Sequence, residues 1–276
     1  MPELPEVEAT RRHLAPILVG AVVDGVTVRR ERALRLQPFP PDFAARLRGR
    51  RVGDLGRRGK FLLAGLGDGL TWVLHLGMSG RVAVAARGEP EAPHTAVVVG
   101  LAGGPEVRFV DPRTFGYTAV LTSEELAVAG PSRLGPDALE ALPRAPALAS
   151  RLAGRSAPIK ALLLDQHLVA GLGNIYADEV LHRARVRPDR AAGSLTGLEV
   201  SALRRAVRPV LQASLRYGGT SLADIAYLLP DGRAGDYLAR LAVYGRAGEP
   251  CRRCGGSIER IVLRNRSAYY CPGCQR

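Results

Sequence analysis

The sequence has very little lysine. Lys60 and Lys160 are the only lysines among 39 basic residues in a chain of 276, and all the others are arginines. Arginine can replace lysine on a solvated surface, but not where a compact charge or a deprotonatable amine is needed. Both lysines are therefore candidates for functional positions. Methionine is equally scarce, since Met78 is the only one besides Met1.

Three further absences exclude whole classes of protein. The sequence has no apolar run of about 18 residues, the length a membrane span needs, and no basic-then-apolar leader. We therefore predict a cytoplasmic protein without a membrane partner. Its four cysteines all lie in the last 26 residues, in two pairs, which argues against a disulfide framework in a reducing compartment.

The net charge indicates the class of partner. The formal charge is +13 and the sequence pI is about 10.4, although 46% of the residues are hydrophobic. Such an excess of positive charge favours a polyanionic partner, most often nucleic acid. The length is sufficient for two domains with a sizeable core.

The first residues, Met1 to Glu8, allow two interpretations. Removal of Met1 would leave Pro2 with a free secondary amine, and an α-amino group titrates near pH ~8. The unprotonated amine could attack a sugar C1′ and form a Schiff base, with Glu3 and Glu6 close enough to transfer protons. Alternatively, Pro5 only opens a helix whose first turn the glutamates stabilise. These residues alone do not decide between the two.

Hydrophobic periodicity predicts an α+β fold. Val7, Leu14, Ile17 and Leu18 recur at helical spacing, and short apolar or alternating runs follow up to about residue 120. Predicted strands cover 61–64, 71–74, 81–86, 96–101, 107–110 and 117–121, with a hairpin turn at Gly67-Asp68-Gly69. This spacing is typical of an antiparallel β-sandwich.

The following segments are predicted to be a linker and then helices. Residues 131–158 are rich in proline, alanine and glycine and have room for one short helix. Helices are predicted over 159–168, 175–184 and 196–217. The glycine-containing turn at 169–174 directly precedes the second of them, and a helix N-terminus of this kind can bind phosphate.

The cysteine spacing predicts one structural zinc ion. Cys251 and Cys254 form one CxxC pair, and Cys271 and Cys274 form a second pair sixteen residues further on. Four thiolates at the ends of a β-hairpin complete a tetrahedral zinc site, so the metal would have no open position for catalysis. Six arginines against one acid in this segment, with Arg264 and Arg266 near the hairpin tip, predict a phosphate-binding surface.

Taken together, the motifs resemble bacterial formamidopyrimidine-DNA glycosylase. They are MPELPEVE at 1–8, GRRGKFLL at 56–63, HLGM at 75–78, DPRTFG at 111–116, AGLGNIYADE at 170–179, VYGR at 243–246 and the four-cysteine finger. The resemblance spans the whole chain in the family's order. It implies a bifunctional glycosylase and lyase that removes oxidised purines such as 8-oxoguanine and formamidopyrimidines from double-stranded DNA and cleaves the strand by β,δ-elimination.

The resemblance also implies roles for individual residues. Pro2 would be the nucleophile, Glu3 the acid/base that opens the sugar, and Glu6 the support for the amine. Lys60 would hold a phosphate and assist proton transfer, and Arg266 would take part in the final elimination. Implied DNA contacts are His75, His94, Arg155, Lys160, Asn174 and Tyr244, and Met78, Arg113 and Phe115 would be inserted into the duplex.

The family's architecture gives the remaining expectations. We expect a catalytic β-sandwich domain with a flanking helix at 1–130, a linker at 131–158, a helix–two-turns–helix domain at 159–240 and a zinc finger at 241–276. We further expect a monomer, no small-molecule redox cofactor, and a DNA-binding cleft between the two main domains. The base-recognition loop at 220–237 has an apolar stretch atypical of the family, which leaves the preferred lesion open. An endonuclease VIII-type enzyme for oxidised pyrimidines and a non-catalytic DNA-binding paralogue are the alternatives.

Overall fold

The chain folds into two compact units. The structure is a computed structural model that describes residues 2–222 and 227–276. The first unit comprises Met1–Arg133 and Leu215–Leu238, and the second comprises Leu134–Ser214 and Ala239–Arg276. No helix within the described residues is long and apolar enough to cross a membrane.

The first unit begins with a buried helix. Helix α1 (Leu4–Leu18) starts with a reciprocal capping box between Glu3 and Glu6 and has a proline in its first turn. The capping box supplies partners for N–H groups that a helix N-terminus leaves unpaired, and the proline has no N–H that needs a partner. The apolar side of α1 contributes Val7, Leu14 and Leu18 to the hydrophobic core.

Two four-stranded antiparallel sheets form the body of this unit. The first sheet has the order β1-β6-β7-β5 and the second β2-β3-β4-β8. The strands are β1 (Val23–Val28), β2 (Asp54–Arg58), β3 (Phe61–Gly65), β4 (Thr71–His75), β5 (Arg81–Ala85), β6 (Thr95–Leu101), β7 (Glu106–Val110) and β8 (Tyr117–Leu121). One continuous core contains side chains from both sheets, including Trp72 and Phe109. The predicted α+β class and antiparallel sandwich are confirmed.

Short helices complete the first unit. They are α2 (Pro40–Leu47), α3 (Ser123–Val128) and the 3₁₀ helices Glu31–Leu34 and Gly130–Arg133. The hairpin at Gly67-Asp68-Gly69 joins β3 to β4 as predicted, with Phe61 opposite His75. Strands β1 and β2 and helix α2 were not predicted, because their apolar residues are few and interrupted by charge or glycine.

The second unit is mostly helical. Its helices are α4 (Ala145–Leu152), α5 (Ile159–Leu163), α6 (Asn174–Ala184), α7 (Gly197–Arg216) and the 3₁₀ helices Ala192–Ser194 and Leu238–Arg240. The last two residues of α7 and the first residue of the second 3₁₀ helix are grouped with the first unit. Helix α5 is five residues shorter than the predicted 159–168, and turns occupy the remainder. The short helix predicted within 131–158 is α4.

A β-hairpin ends the chain. Strands β9 (Glu259–Leu263) and β10 (Arg266–Tyr270) pair antiparallel, with Leu263 opposite Arg266. The intervening Arg264 and Asn265 both have positive φ, +46° and +62°. Positive φ at both central residues defines the type I′ turn, whose twist matches that of the strands. The hairpin tip therefore lies where the sequence predicted it.

Candidate active site and metal centre

Two buried carboxylates lie beside the N-terminal proline. Pro2 is buried, and Glu3 and Glu6 are each 1% exposed. The Glu6 Oε2 atom accepts the Glu3 backbone N–H at 2.8 Å, and the Glu3 side chain accepts the Glu6 backbone N–H. The helix cap thus holds the two predicted acids next to the predicted nucleophile. Met1 lies outside the described residues.

A second segment of the same unit fixes Glu6 from the other side. Thr220 donates its backbone N–H to Glu6 Oε1 at 2.7 Å, and the Tyr227 hydroxyl donates to the Glu6 carbonyl at 2.7 Å. Gly219 has φ +92°, and a Cβ there would lie 2.8 Å from Glu6 Oε1. Only glycine allows this approach at low cost. Thr220 and Tyr227 belong to the predicted base-recognition loop, of which residues 223–226 lie outside the described part.

Glu8 connects three arginines on the next turn of α1. It pairs with Arg11 at 2.9 Å, Arg12 at 2.8 Å and the buried Arg57 at 3.2 Å. Burial disfavours the charged carboxylate, but hydrogen bonds from Arg11 and Arg12 and the charges of Arg11 and Arg57 outweigh this effect. The pKa of Glu8 is lowered to about 2. Glu8 is therefore ionised throughout the physiological range.

Arg57 connects Glu8 to the turn that contains Lys60. Its Nη1 atom donates to the Gly59 carbonyl at 3.1 Å, in the tight turn between β2 and β3 where Lys60 is half-buried. Gly59 has φ +57°, in the left-handed region. The buried arginine thus fixes the turn that carries Lys60 against α1. Arg57 lies within one of the recognised motifs, but the sequence pattern indicated no role for it.

His75 lies at the end of β4 as a neutral donor. Its ring stacks against Tyr117 with centroids 5.4 Å apart and lies 4.6 Å from Phe61. Burial, followed by the charges of Lys60 and Arg35, lowers the pKa of His75 to about 4. Gly77 donates its N–H to Nδ1 at 3.3 Å, which leaves the ring proton on Nε2.

The three predicted wedge residues lie on two adjoining loops. Met78 follows β4, and Arg113 and Phe115 lie between β7 and β8. The loops meet at Gly77, where a Cβ would lie 2.4 Å from the Gly116 nitrogen. The Asp111 carboxylate accepts the Gly116 N–H at 2.7 Å, so the second loop also has an internal brace.

Arg35 supports the second wedge loop from outside. Its Nη2 atom donates to the carbonyls of Phe115 and Gly116, the latter at 2.9 Å, and its guanidinium lies 5.0 Å from the Tyr117 ring centroid. Phe115 remains 45% exposed, with the Arg113 guanidinium 5.3 Å from its ring. Nothing in the sequence around Arg35 indicated this role, because the contact joins residues eighty positions apart.

Two more predicted DNA contacts are exposed, one on each unit. His94 precedes β6 with φ +68° and contacts Arg30 through Nδ1 at 3.0 Å. Arg155 follows α4, and its carbonyl accepts the Gly193 N–H at 2.8 Å. Both side chains are open to solvent, as a DNA contact requires.

The environment of Lys160 differs from that of the two exposed predicted contacts. The predicted DNA contact is only 1% exposed, and its Nζ atom forms an ion pair with Asp178 at 2.7 Å. Nζ also donates to the Ser267 carbonyl at 2.5 Å, and Asp178 accepts the Tyr269 N–H at 3.0 Å. Burial raises the pKa of Asp178 to about 7, against the lowering effect of Lys160. Lys160 and Asp178 therefore anchor β10 on the helical part, and direct DNA contact would require Lys160 to leave this ion pair.

The start of α6 positions two other predicted contacts. Asn174 is the first residue of α6, and its amide oxygen is buried without a hydrogen-bond partner among the described residues. Glu179 accepts the backbone N–H groups of Ala242, Val243 and Tyr244 at 2.8 to 3.0 Å. These bonds fix the segment that carries Tyr244, whose ring packs against Tyr269 with centroids 5.1 Å apart. Glu179 lies within a recognised motif, but its spacing alone indicated no role.

The four cysteines form a metal centre. Their Sγ atoms all lie within 4.8 Å of one another, with Cys254–Cys271 at 3.4 Å and Cys251–Cys274 at 3.9 Å. Zinc–sulfur bonds of about 2.3 Å in a tetrahedron place sulfurs roughly 3.8 Å apart, so the cluster fits one zinc ion. Arg266 is exposed at the tip of the hairpin that these cysteines hold.

Comparison with known families identifies the chain. Family models match the formamidopyrimidine-DNA glycosylase N-terminal domain over residues 1–118 and the H2TH domain of the same enzyme over 134–225. A third model, the zinc finger found in FPG and IleRS, matches 248–276. The chain belongs to the formamidopyrimidine-DNA glycosylase family. Together with the cysteine cluster, this match supports one structural Zn²⁺.

Individual relatives cover the chain from end to end. Formamidopyrimidine-DNA glycosylase from Beijerinckia indica is 45% identical over 100% of both chains, and that from Pelotomaculum thermopropionicum is 43% identical over 100% of this chain and 99% of its own. The MutM (Fpg) structure from Thermus thermophilus has 42% identity and a TM-score of 0.88, and covers 99% of this chain and 98% of its own. Lactococcus lactis Fpg in complex with abasic-site DNA has 30% identity and a TM-score of 0.90 over 100% of both chains.

Proposed function

We propose that this protein is a bifunctional DNA glycosylase and AP lyase that excises oxidised purines through an N-terminal proline. The observation that carries the proposal is the placement of Pro2 beside the buried, mutually capped Glu3 and Glu6. The reciprocal capping box stabilises the helix start, and it also holds both carboxylates buried beside the proline. Two acids next to an amine nucleophile supply the proton transfers that Schiff-base chemistry requires.

The reaction follows from these groups. After removal of Met1, the Pro2 nitrogen attacks C1′, the base leaves with its bonding electrons and takes up a proton, and the sugar ring opens to a Schiff base. Glu3 transfers protons at the ring oxygen, while Glu6 is held in place by Glu3, Thr220 and Tyr227. Loss of the C2′ proton then expels the 3′ phosphate and leaves a conjugated Schiff base, and loss of the C4′ proton from this species expels the 5′ phosphate.

The partner we propose is damaged duplex DNA. Solved Lactococcus lactis relatives contain abasic-site DNA and DNA with an oxidised pyrimidine. The neutral His75 would donate Nε2–H to a phosphate, and Lys60 would add a fixed charge on the neighbouring turn. A base inside the stack cannot be reached, so Met78 and Phe115 would fill the space it leaves and Arg113 would bond the partner base.

A covalent trapping assay tests the catalytic proposal. The protein is incubated with 8-oxoguanine duplex and borohydride, which reduces a Schiff base to a stable adduct. We expect an adduct with wild type and with Pro5→Ala, which keeps the secondary amine of Pro2. Pro2→Gly or retention of Met1 should abolish it. A wild-type protein that binds the duplex but never forms an adduct would leave the non-catalytic DNA-binding alternative.

A second experiment determines which lesion the protein prefers. Duplexes with 8-oxoguanine, a formamidopyrimidine and an oxidised pyrimidine are compared in single-turnover reactions. Faster excision of both purine lesions supports the proposal. Faster excision of the pyrimidine would favour the endonuclease VIII-type alternative.

A further inference from the structure

A groove in the first unit lies two helical turns beyond Glu6. It has a volume of about 360 Å³ and runs between α1 and the segment that follows α7. Its floor is apolar and contains Ala9, Leu215 and Leu229, of which Ala9 and Leu229 are 5% and 6% exposed. Ligand pockets typically enclose about 300 to 1,000 Å³ and combine an apolar floor with a few polar groups.

Three arginines form the rim, and we call this feature the arginine groove. They are Arg12, Arg216 and Arg233. Arg12 pairs with Glu8 and Arg233 with Asp231, both at 2.8 Å, whereas Arg216 makes no hydrogen bond or ion pair in the described part of the chain. Glu8 is already neutralised by Arg11 and Arg57, so the rim keeps an excess of positive charge.

The remaining wall contains an aromatic ring and a histidine. Tyr217 lines the groove and is 38% exposed, and its ring is inclined by 29° to that of Tyr237, with centroids 6.2 Å apart. His13 faces Arg233 through Nε2 at 3.4 Å and lies 3.6 Å from Asp231. A planar ring can therefore lie on the apolar floor beside the tyrosine while an attached anion meets the guanidinium groups.

We propose that the arginine groove binds a small molecule that combines a planar aromatic ring with a phosphate, the chemistry of a nucleoside monophosphate. Arg12, Arg216 and Tyr217 lie outside the proposed catalytic and DNA-contacting residues, whereas Leu229, Arg233 and Ala234 belong to the predicted base-recognition loop at 220–237. The proposal does not rest on the catalytic chemistry, because no lining residue belongs to the proposed catalytic set.

The floor of the groove packs against a residue that is hydrogen-bonded to Glu6. Ala9 and Leu229 on its floor pack with Tyr227, whose hydroxyl donates to the Glu6 carbonyl. A ligand seated on this cluster adds contacts that only the folded arrangement provides. Binding should therefore raise the unfolding temperature, as any ligand specific for the native state does.

Isothermal titration of the zinc-loaded protein tests the proposal with adenosine 5′-monophosphate as the probe. Adenosine supplies the ring without the phosphate, and ribose 5-phosphate the phosphate without the ring. We expect saturable binding of the monophosphate, and at least tenfold weaker binding of either fragment, because each loses one half of the contacts. Arg216→Gln should weaken binding about tenfold, since a charged hydrogen bond to the anion is lost. Arg48→Gln, an exposed arginine elsewhere on the same unit, is the matched control.

Three results would overturn the proposal. The first is absence of saturable binding by wild type at millimolar monophosphate. The second is equal affinity of the Arg216→Gln and Arg48→Gln variants, which would locate the anion elsewhere on this basic protein. The third combines two observations: undamaged duplex DNA displaces the monophosphate from wild type, and Arg216→Gln binds the duplex more weakly than wild type does. Together they would show that the groove is a DNA contact. Retained monophosphate affinity in the presence of duplex supports the proposal.

Discussion

At the scale of single residues, burial determines what each candidate group can do. Lys60 and Lys160 were equivalent in sequence, yet one lies half-buried in a turn and the other is sealed against Asp178. His75 is held neutral by burial and by Lys60 and Arg35, so it can act only as a hydrogen-bond donor at neutral pH. Residues of the same type therefore differ in what they can do. A buried, paired side chain such as Lys160 can only hold other residues in position, whereas an accessible one can contact a ligand.

His75 should make the protein sensitive to acid. Its folded pKa of about 4 lies below the ordinary value of 6.5, so its stabilising contribution is present above pH 6.5 and is lost as the pH falls towards 4. We expect a loss of up to about 3 kcal/mol over this window. In His75→Gln the decline in the free energy of unfolding should be shallower, whereas the exposed His167→Gln should follow wild type. Chemical denaturation at a series of pH values measures both slopes, and identical slopes for His75→Gln and wild type would contradict the assignment.

Arg35 should matter for lesion excision more than for stability. Arg35→Gln removes the donor to the Phe115 and Gly116 carbonyls, so the second wedge loop loses its outer support. We expect single-turnover excision of 8-oxoguanine to slow about tenfold, equivalent to about 1.4 kcal/mol, with the unfolding free energy changed by about 1 kcal/mol or less. Arg32→Gln, in the same exposed segment, should retain the wild-type rate. Equal slowing by both variants would argue for a general charge effect.

At the scale of elements, buried polar side chains join helices to strands and turns. Glu8 and Arg57 link α1 to the turn between β2 and β3, and Lys160 and Asp178 link α5 and α6 to β10. A buried ion pair contributes little net stability compared with apolar packing, but loss of one partner is costly because the other charge stays buried. Such pairs therefore fix the position of the elements that carry the candidate site.

Glu8→Gln tests the first of these links. We expect a loss of about 3 to 5 kcal/mol at neutral pH, because the buried Arg57 would lose its counter-charge. The depressed pKa of Glu8 means that wild-type stability is complete above about pH 5 and declines as the pH falls towards 2, and the variant should lack this decline. Urea unfolding at several pH values from 7 to 3 measures the free energy of unfolding of wild type and of Glu8→Gln. Glu31→Gln, which changes an exposed glutamate, is the control. A variant as stable as wild type would show that the network is dispensable.

The zinc hairpin should depend on its metal. Two paired five-residue strands are only marginally stable by themselves, and the small buried cluster next to them includes two of the metal ligands, Cys251 and Cys271, so the free energy of zinc binding contributes directly to folding of this segment. Cys254→Ser should lower zinc content below one ion per chain and abolish hydrogen-exchange protection of the β9 and β10 amides. Arg253→Gln, the adjacent non-ligand, should retain both. Zinc titration with a chromogenic chelator, combined with hydrogen exchange, checks this, and protected hairpin amides in the zinc-free variant would contradict it.

At the scale of the whole molecule, the charge of +13 predicts strongly salt-dependent DNA binding. The logarithm of the binding constant should fall with the logarithm of salt concentration by about 0.9 per phosphate neutralised. Arg266→Gln should reduce this slope by about 1, because it removes one exposed charge at the hairpin tip. Arg48→Gln should leave the slope unchanged. Fluorescence anisotropy at several salt concentrations measures it, and an unaltered slope in Arg266→Gln would remove this residue from the proposed contact set.

Much of the fold was predictable because its signals are local. Alternation of apolar residues marked six of the eight strands of the sandwich, and the cysteine spacing marked the hairpin and its metal. Strand β2 was missed since its sequence, Asp54–Arg58, contains three charged residues and a glycine, and only pairing with β3 makes it a strand. Helix α5 was predicted too long because apolar periodicity continues past Leu163 although the backbone turns.

The sequence by itself determined the family, the four metal ligands and the identity of the N-terminal nucleophile candidate, because each rests on residue types at fixed spacings. Only the tertiary structure decided the environment of those residues. It buried Lys160 against Asp178, made Arg35 the support of a loop eighty positions away, paired Arg57 with Glu8 across forty-nine positions, and gathered Arg12, Arg216 and Arg233 around one groove. Burial and charge pairing depend on contacts between distant segments, and no local pattern encodes them.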